Sequence, residues 1–195
     1  MSNLNALIGS RICHDLINPL GAIGNGIELL GLAGVAVGPE MALVSESVEN
    51  ATAKIKFLRL AFGAATQDQT VSRGEVLSAL EAMARGGRLS YSWNVAGDPQ
   101  RLDVRTALLS VMCVETALPM GGSIKITLDQ TSWTITAKHD RLTLDPDLWV
   151  PLSKGACPRN LSASKVHFGL LPEMAIEAGR TLTLTHGVDW VTIGF

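Results

Sequence analysis

The hydrophobic pattern of the first sixty residues predicts two long helices. In the first, large apolar residues recur at spacings of four and three, which is typical of one helical face. They are Ile8, Ile12, Leu16, Leu20, Ile23, Ile27 and Leu30. After a glycine-rich turn over 31–39, the second helix has the spacing of a heptad seam at Val44, Val48, Ala51, Ile55, Leu58 and Phe62. Joined by so short a turn, the two helices are expected to form an antiparallel hairpin.

The pattern changes after residues 64–73, a stretch of small and polar residues that reads as a linker. Alternating apolar positions then predict a strand over 89–96, a strand hairpin over 123–140 and two strands within 181–195, and helices are predicted over 74–86, 103–118 and 164–179. Helices interleaved with a mostly antiparallel sheet indicate an α+β fold with an α/β-sandwich second domain. We therefore expect two domains, a helical hairpin over 1–66 and the sandwich over 70–195.

A single hairpin cannot bury two apolar stripes. Pairing two hairpins into a four-helix bundle would bury them, and a symmetric homodimer is the simplest arrangement that does so. The composition favours such extra buried surface, because 47% of the residues are hydrophobic and only 17% are charged. The sequence thus predicts a homodimer held by a four-helix bundle.

Charge and cysteine usage exclude several classes of function. The net charge is −2, without the clustered basic excess of a nucleic-acid-binding protein. The three cysteines form no CxxC pair, which favours reduced thiols and a cytoplasmic location. The N-terminus lacks the pattern of a signal peptide, and the apolar stretch 16–38 contains Asn, Pro and Glu, so no membrane association is expected.

His14 is the candidate for chemistry on the first helix. At 100° per residue it lies roughly 160–200° around the helix from Ile12 and Leu16, so it points to solvent. The neighbouring Asp15 could fix a tautomer of the imidazole, accept its proton or raise its basicity. A surface histidine with no task would have the same periodicity. Pro19, which costs a helix interior about 3 kcal/mol, is the unexplained feature of the same segment.

The segment HDLINPLGAI resembles the H-box of two-component sensor histidine kinases. In that family a histidine is followed by an acidic residue, by Asn or Thr four positions on, and by Pro five positions on. His14, Asp15, Asn18 and Pro19 match this pattern, and Leu16 and Leu20 keep its apolar spacing. The resemblance implies that His14 is phosphorylated and that Pro19 bends the helix just after the site.

The second domain resembles the ATP-binding half of these kinases in outline, but its nucleotide motifs are degenerate. The helix that carries asparagines in the family corresponds to 108–122 and has none. The segment matching the Asp-x-Gly-x-Gly loop, 135–148, has no glycine. A glycine-rich phosphate loop is expected around 165–179, and there only Gly169 remains ahead of the predicted helix. Backbone cradles for phosphate need such glycines. ATP binding is therefore not expected.

A phosphorylatable hairpin on a nucleotide-free kinase-like domain is similar to the ChpT-type histidine phosphotransferases of bacterial phosphorelays, over essentially the whole chain. The resemblance implies that His14 takes a phosphoryl group from the receiver domain of a hybrid histidine kinase and passes it to response regulators. The receiver would supply Mg²⁺, so no cofactor or metal of its own is expected. The resemblance also implies that Asp15 and Asn18 are supporting catalytic residues. Cys13 and Ile17 flank the site and are expected to contact the receiver or the neighbouring helix.

Two rival functions are kept: an unorthodox histidine kinase that still uses ATP, and a non-catalytic adaptor that docks two-component proteins, with His14 a relic. The remaining histidines, His139, His167 and His186, lack the short spacings of a metal site. Four tryptophans lie in or beside predicted strands and are expected to be core or interface anchors. These are Trp93, Trp133, Trp149 and Trp190.

Overall fold

The computed structural model describes residues 2–34, 38–85 and 87–195, so part of the predicted turn over 31–39 and the last residue of the predicted helix 74–86 lie outside it. The chain forms two compact units. A helical unit comprises Met1–Ala64 and Ser78–Arg85, and a sheet unit comprises Ala65–Leu77 and Gly86–Phe195.

The helical unit is built on the predicted antiparallel hairpin. Helix α1 spans Ser2–Leu32 and α2 spans Pro39–Phe62, and the two pack against each other. The start of α1 lies beside the end of α2, where the Ser10 hydroxyl accepts a hydrogen bond from the backbone N–H of Ala64 at 3.0 Å. Pro39 begins α2, where its fixed φ suits the first helical turn and its missing N–H costs nothing.

The face of α2 that is buried within the chain differs from the predicted heptad seam. The buried residues are Phe57, Leu60 and Ala61, whereas Val44 of the seam is 46% exposed and Val48, Ile55 and Leu58 are half-buried. A helix of a hairpin packs one face against its neighbour, and α2 carries apolar residues on two. Periodicity alone identified one of these faces but not which of them the single chain buries.

The sheet unit contains, among the described residues, five strands: β1 Leu89–Asn94, β2 Gly122–Asp129, β3 Ser132–Lys138, β4 Thr183–His186 and β5 Trp190–Gly194. Their order is β1-β2-β3-β5-β4, with β1 and β2 parallel and the other neighbours antiparallel. The helices are α4 Arg101–Glu115, α5 Pro146–Ser153 and α6 Val166–Glu177, and the two units divide α3, Arg73–Ala84, between them. The predicted α+β fold is confirmed.

The core of the sheet unit lies between the sheet and α4. This helix packs against β2, β3, β5 and α6, and most of its residues are buried. On the sheet, alternate residues form cross-strand apolar pairs, such as Ile126 with Ile135 and Ile135 with Ile193. Trp133 is 1% exposed and stacks on Phe195 with ring centroids 5.8 Å apart. Such pairs are the main unit of sheet stabilisation.

Helix α5 was not predicted. It has a clear start signal, because the Asp145 carboxylate accepts a hydrogen bond from the N–H of Asp147 at 3.0 Å and Pro146 occupies the first turn. Trp149 lies on this helix, so its expected place beside a strand is wrong. Its ring packs edge-on against Phe168 with centroids 5.5 Å apart, which makes it a core anchor all the same.

The predicted linker is tied to the sheet unit at its C-terminal end. The N–H of Val71 donates to the carbonyl of Pro99 at 3.0 Å, and the N–H of Arg101 donates to the carbonyl of Gln69 at 2.8 Å. The Val71 side chain is 2% exposed. Residues 69–71 therefore belong to the fold of the sheet unit and are not a free spacer.

An ion pair between Asp103 and Arg180, here called the Arg180 clasp, joins distant parts of the sheet unit. The Arg180 guanidinium donates from Nε and Nη2 to the two carboxylate oxygens of Asp103 at 3.0 and 2.7 Å. Its Nη1 donates to the carbonyl of Thr131 at 2.9 Å. One side chain thus links the first turn of α4, the β2–β3 turn and the segment that follows α6.

Candidate functional site

Helix α1 presents three faces, and the candidate site lies on one of them. The first face, the inner seam, packs towards α2 and contains the buried Ala6 and Cys13 and the half-buried Ile17, Leu20, Gly24 and Ile27. A Cβ atom built on Gly24 would lie 3.8 Å from the Val48 side chain of α2, which places this face against the second helix.

The second face of α1, the outer stripe, is apolar and exposed. It consists of Ile8, Ile12, Leu16, Ile23 and Leu30, each between 43% and 54% exposed. The single apolar stripe predicted from the sequence is therefore divided, since Leu20 and Ile27 turn towards the inner seam while the other members face outward. Exposed large apolar residues in a continuous row are typical of an interaction surface.

The third face carries Arg11, His14 and Asp15, with Asp15 at its edge beside the outer stripe and His14 further from both apolar faces. The His14 side chain is 67% exposed, as its helical position predicted. Its Nδ1 lies 3.2 Å from Oδ1 of Asp15, and the other carboxylate oxygen, Oδ2, accepts a hydrogen bond of 2.8 Å from Nε of Arg11. Asp15 thus links Arg11 and His14 through its two carboxylate oxygens.

The charge of the Asp15 carboxylate determines the role of each nitrogen of the His14 imidazole. Hydrogen bonds from His14 and then from Arg11 hold the pKa of Asp15 below its usual range, so the carboxylate is ionised at neutral pH. An ionised carboxylate can only accept hydrogen bonds, so the proton of a neutral His14 ring resides on Nδ1. Nε2 then carries the lone pair, and within the described residues no side chain or backbone group is hydrogen-bonded to it. The arrangement presents a nucleophilic nitrogen to solvent.

Asn18 and Pro19 follow His14 along the helix. Asn18 is exposed one turn further on, on the side of His14, and no hydrogen bond joins the two among the described residues. Helix α1 continues through Pro19. Because proline lacks an N–H, the carbonyl of Asp15 loses the helical donor that position 19 would otherwise supply. One helical hydrogen bond is therefore missing in the turn that carries His14 and Asp15.

Cys13 and Ile17 lie on the inner seam. Burial raises the pKa of the Cys13 thiol, and the charge of Arg59 on α2 lowers it in part. The thiol is therefore protonated at neutral pH and is not a nucleophile. These two residues were expected to contact either the receiver or the neighbouring helix. In the structure Cys13 is buried on the face that packs towards α2, and Ile17 is half-buried on the same face.

Sequence reasoning did not identify Arg11 or Arg59 as part of the site. The signal for Arg11 was present, because a basic residue four positions before an acidic one on a helix forms an i, i+4 ion pair. Arg59 had no local signal. Its proximity to Cys13 depends on the register between α1 and α2, which the sequence of either helix does not specify.

The sheet unit has a cavity of about 890 Å³ between α5 and the segment leading to α6. Its lining includes the cations Lys154, Arg159 and Lys165 and the carboxylates Asp145 and Asp147. Gly169, the remaining glycine of the expected phosphate loop, lies inside α6. A Cβ atom there would come within 2.6 Å of the Leu161 side chain and 3.1 Å of the Cys157 sulfur. Packing of the 157–161 segment is thus a sufficient reason for a glycine at this position.

The other histidines are structural or peripheral. His167 is 4% exposed, and burial together with the charge of Lys165 lowers its pKa to about 4. No group of three or more His, Cys, Asp or Glu side chains within the described residues could hold a metal ion. None of the described helices is both long and apolar enough to span a bilayer.

Comparison with known proteins establishes the family. A model of the histidine phosphotransferase C-terminal domain matches residues 73–189. The chain belongs to the histidine phosphotransferase family. Protein phosphotransferase ChpT of Brucella abortus (strain 2308) is 34% identical over 191 residues, which cover 93% of this chain and 90% of that protein.

A solved structure agrees with the fold of this histidine phosphotransferase. A structure described as that of a bacterial phosphotransferase matches 98% of this chain and 94% of its own, with a TM-score of 0.68 and 27% identity. The histidine kinase domain of a blue-light activated kinase from Erythrobacter litoralis EL346 is more distant, with a TM-score of 0.45 and 14% identity over 97% of this chain and 91% of its own.

Proposed function

We propose that this protein relays phosphoryl groups between receiver domains through a phosphohistidine at His14. The observation that carries the proposal is the exposed His14 ring, with Nδ1 against the Asp15 carboxylate and Nε2 open to solvent, on the first helix of a member of this family. The donor is the aspartyl phosphate of a hybrid kinase's receiver domain, and the acceptor is the receiver aspartate of a response regulator. Cytoplasmic location is part of the proposal.

The transfer step needs only a positioned nucleophile from this chain. The Nε2 lone pair attacks phosphorus, the P–O bond to the receiver aspartate breaks, and that aspartate leaves as a carboxylate. The ring becomes positively charged as the N–P bond forms. The ionised Asp15, 3.2 Å from Nδ1, stabilises this charge. In the second half of the relay a regulator's aspartate attacks phosphorus, and the N–P bond breaks to return neutral His14.

The partner receiver completes the site. The receiver would hold the Mg²⁺ that neutralises the phosphoryl oxygens, so the transfer would need no metal ligand from this chain. Asn18, exposed one helical turn from His14, supplies an amide that can hydrogen-bond the phosphoryl group or a water molecule. Ile17 and Cys13 flank the site from the inner seam and set its position on the bundle rather than its chemistry.

We further propose that the outer stripe is the homodimer interface. It is a row of five large apolar residues on α1, each near half exposed in the single chain, and α2 adds Leu43 and Val44, which are 64% and 46% exposed. Burying such a row favours association at about 25 cal/mol per Å² of apolar surface. Two hairpins joined in this way form a four-helix bundle in which His14 stays outside the interface.

The relay is tested by phosphoryl transfer from receiver domains. Each hybrid-kinase receiver of the organism is loaded with acetyl phosphate and Mg²⁺, mixed with the full chain, and the product is analysed by mass spectrometry. We expect an acid-labile gain of one phosphoryl group on His14 from at least one receiver, lost in His14→Ala and kept in His186→Ala, which removes an exposed histidine of the sheet unit. If His14→Ala supports transfer as well as the wild type does, the protein is an adaptor and the relay is wrong.

An ATP-dependent kinase is the second candidate, because the cavity near α5 carries three cations that suit a polyphosphate. The degenerate nucleotide motifs argue against it. Incubation with labelled ATP and Mg²⁺ in the absence of any partner separates the two functions. We expect no labelling of His14, and labelling there would replace the relay with autophosphorylation.

The dimer is tested by light scattering on size-exclusion fractions. We expect twice the mass of one chain for the wild type and one chain's mass for a variant carrying Ile12→Glu and Leu16→Glu, since two charges would be buried at the interface. Leu32→Glu is the matched control, because this exposed α1 residue lies outside the outer stripe. A wild-type chain with the mass of a monomer at about 100 μM would contradict the proposed dimer.

A further inference from the structure

The two oxygens of the Asp15 carboxylate have different partners on the same helix face. Oδ1 faces Nδ1 of His14 at 3.2 Å, and Oδ2 accepts from Nε of Arg11 at 2.8 Å. Rotation of the carboxylate away from His14 would therefore break the Arg11 hydrogen bond. Within the described residues no other group is hydrogen-bonded to this carboxylate, which is half exposed.

The Arg11–Asp15 pair has little value as a stabiliser of the helix. Both groups are exposed, Arg11 at 77% and Asp15 at 49%, and exposed i, i+4 ion pairs change a helix equilibrium by about twofold. The pair does change the charge of the site. Asp15 alone would repel an incoming phosphoryl group, whereas the guanidinium beside it cancels that charge.

We propose that Arg11 is a positioning residue of the phosphotransfer site, which holds the Asp15 carboxylate against Nδ1 of His14 and so keeps Nε2 as the nucleophile. The inference rests on the proposed function at His14 and adds a residue and a role to it. Arg11 acts through Asp15 and takes no part in bond making. Its effect is on the tautomer of the ring and on the net charge that the phosphoryl group meets.

The tautomer of His14 is the direct readout, measured in the full chain by ¹⁵N NMR of the imidazole. We expect the Nδ1–H form to dominate in the wild type and the ratio of Nδ1–H to Nε2–H to fall at least twofold in Arg11→Gln.

Reactivity is measured with phosphoramidate, a small donor that needs no docking partner. The His14 N–P bond forms as the donor's N–P bond breaks and ammonia leaves, and ³¹P NMR follows the product. We expect the rate constant to fall about 2- to 5-fold in Arg11→Gln, which corresponds to the strength of an exposed charge pair. Arg11→Lys keeps the charge but loses the planar donor, so its rate should lie between the two.

Arg85→Gln is the matched control, since it removes another exposed arginine–carboxylate pair of the helical unit, with Glu49 at 3.5 Å. It should leave the tautomer ratio and the rate unchanged. An Arg11→Gln chain with wild-type ratio and rate, or an equal loss in Arg85→Gln, overturns the role of Arg11. Phosphoramidate labelling of wild-type His14 without transfer from any receiver would instead refute the relay and leave the Arg11 result standing.

Discussion

The two units of this histidine phosphotransferase use apolar residues in opposite ways. The sheet unit buries them within the chain, as shown by Trp133, Ile135 and Leu108, each 1% exposed or less. The helical unit leaves a whole row of them exposed on α1 and keeps its polar chemistry on a separate face. The sheet unit therefore has its own core, whereas the helical unit leaves an apolar surface of α1 exposed in the single chain.

The same difference applies to the residues of the candidate site, which are exposed. On the proposed function His14 has to meet receiver domains, so it must lie on the surface, where the Asp15 carboxylate of its own helix, rather than burial, determines its tautomer. In the sheet unit, burial is the main cause that lowers the pKa of His167 to about 4. The two units thus differ in the source of their electrostatics as well as in packing.

The largest expected effect is in the sheet core. Leu108→Ala removes a fully buried side chain of α4 and should lower the free energy of unfolding of the sheet unit by about 2–5 kcal/mol. The four tryptophans all lie in this unit, so intrinsic fluorescence during urea unfolding measures it selectively. A loss below about 1 kcal/mol would show that the sheet unit does not depend on its own core.

Acid should weaken the sheet unit through His167. The folded-state pKa of about 4 lies below the ordinary value of 6.5, so the unfolded chain binds the proton more readily in that window. Stability is present above pH 6.5 and is lost as the pH falls, by roughly 2 kcal/mol between pH 7.5 and pH 5. The difference between wild-type and His167→Gln fluorescence melts should show this loss, and parallel pH curves for the two proteins would contradict it.

Breaking the Arg180 clasp should have an intermediate effect. Arg180→Ala leaves the Asp103 carboxylate, which is 9% exposed, without its bidentate partner, and should destabilise the sheet unit by about 1–2 kcal/mol. Arg180→Lys should recover part of this because one charged donor returns. Equal urea midpoints for wild type and Arg180→Ala would mean that water replaces the clasp at no cost.

The smallest effect is expected in the helical unit. Leu16→Ala is the same kind of substitution as Leu108→Ala, but Leu16 is 48% exposed in the single chain and should cost less than about 1 kcal/mol at protein concentrations too low for association. If the outer stripe is the dimer interface, the cost rises with concentration. Helicity measured by circular dichroism during unfolding at two concentrations tests this, and a cost independent of concentration would argue against the interface.

Much of the architecture could be predicted from the sequence because periodicity determines secondary structure locally. The hairpin, the strands and α4 and α6 all follow from spacings of two, three and four. Helix α5 could not be recognised by periodicity because it is only eight residues long and contains Pro151, although Asp145 and Pro146 mark its start.

The candidate site was predictable only in part. The solvent-facing position of His14 follows from helical geometry, and the structure confirms it. The division of the α1 apolar residues between an inner seam and an outer stripe depends on how α2 lies against α1, which no local pattern encodes. The contacts of Cys13 and the proximity of Arg59 depend on the same register. The catalytic roles of His14, Asp15 and Asn18 stay predictions.

The position of β5 bears on how the protein is made. Strand β5, Trp190–Gly194, is the last described strand along the chain, yet it lies between β3 and β4 in the sheet. Among the described strands, β4 pairs with β5 alone. During synthesis the backbone N–H and C=O groups on one edge of β3 must therefore wait for β5, which is still inside the ribosome when β3 emerges. The helical hairpin, whose contacts are local, can form first, so α1 with its exposed His14 is folded before the sheet unit closes.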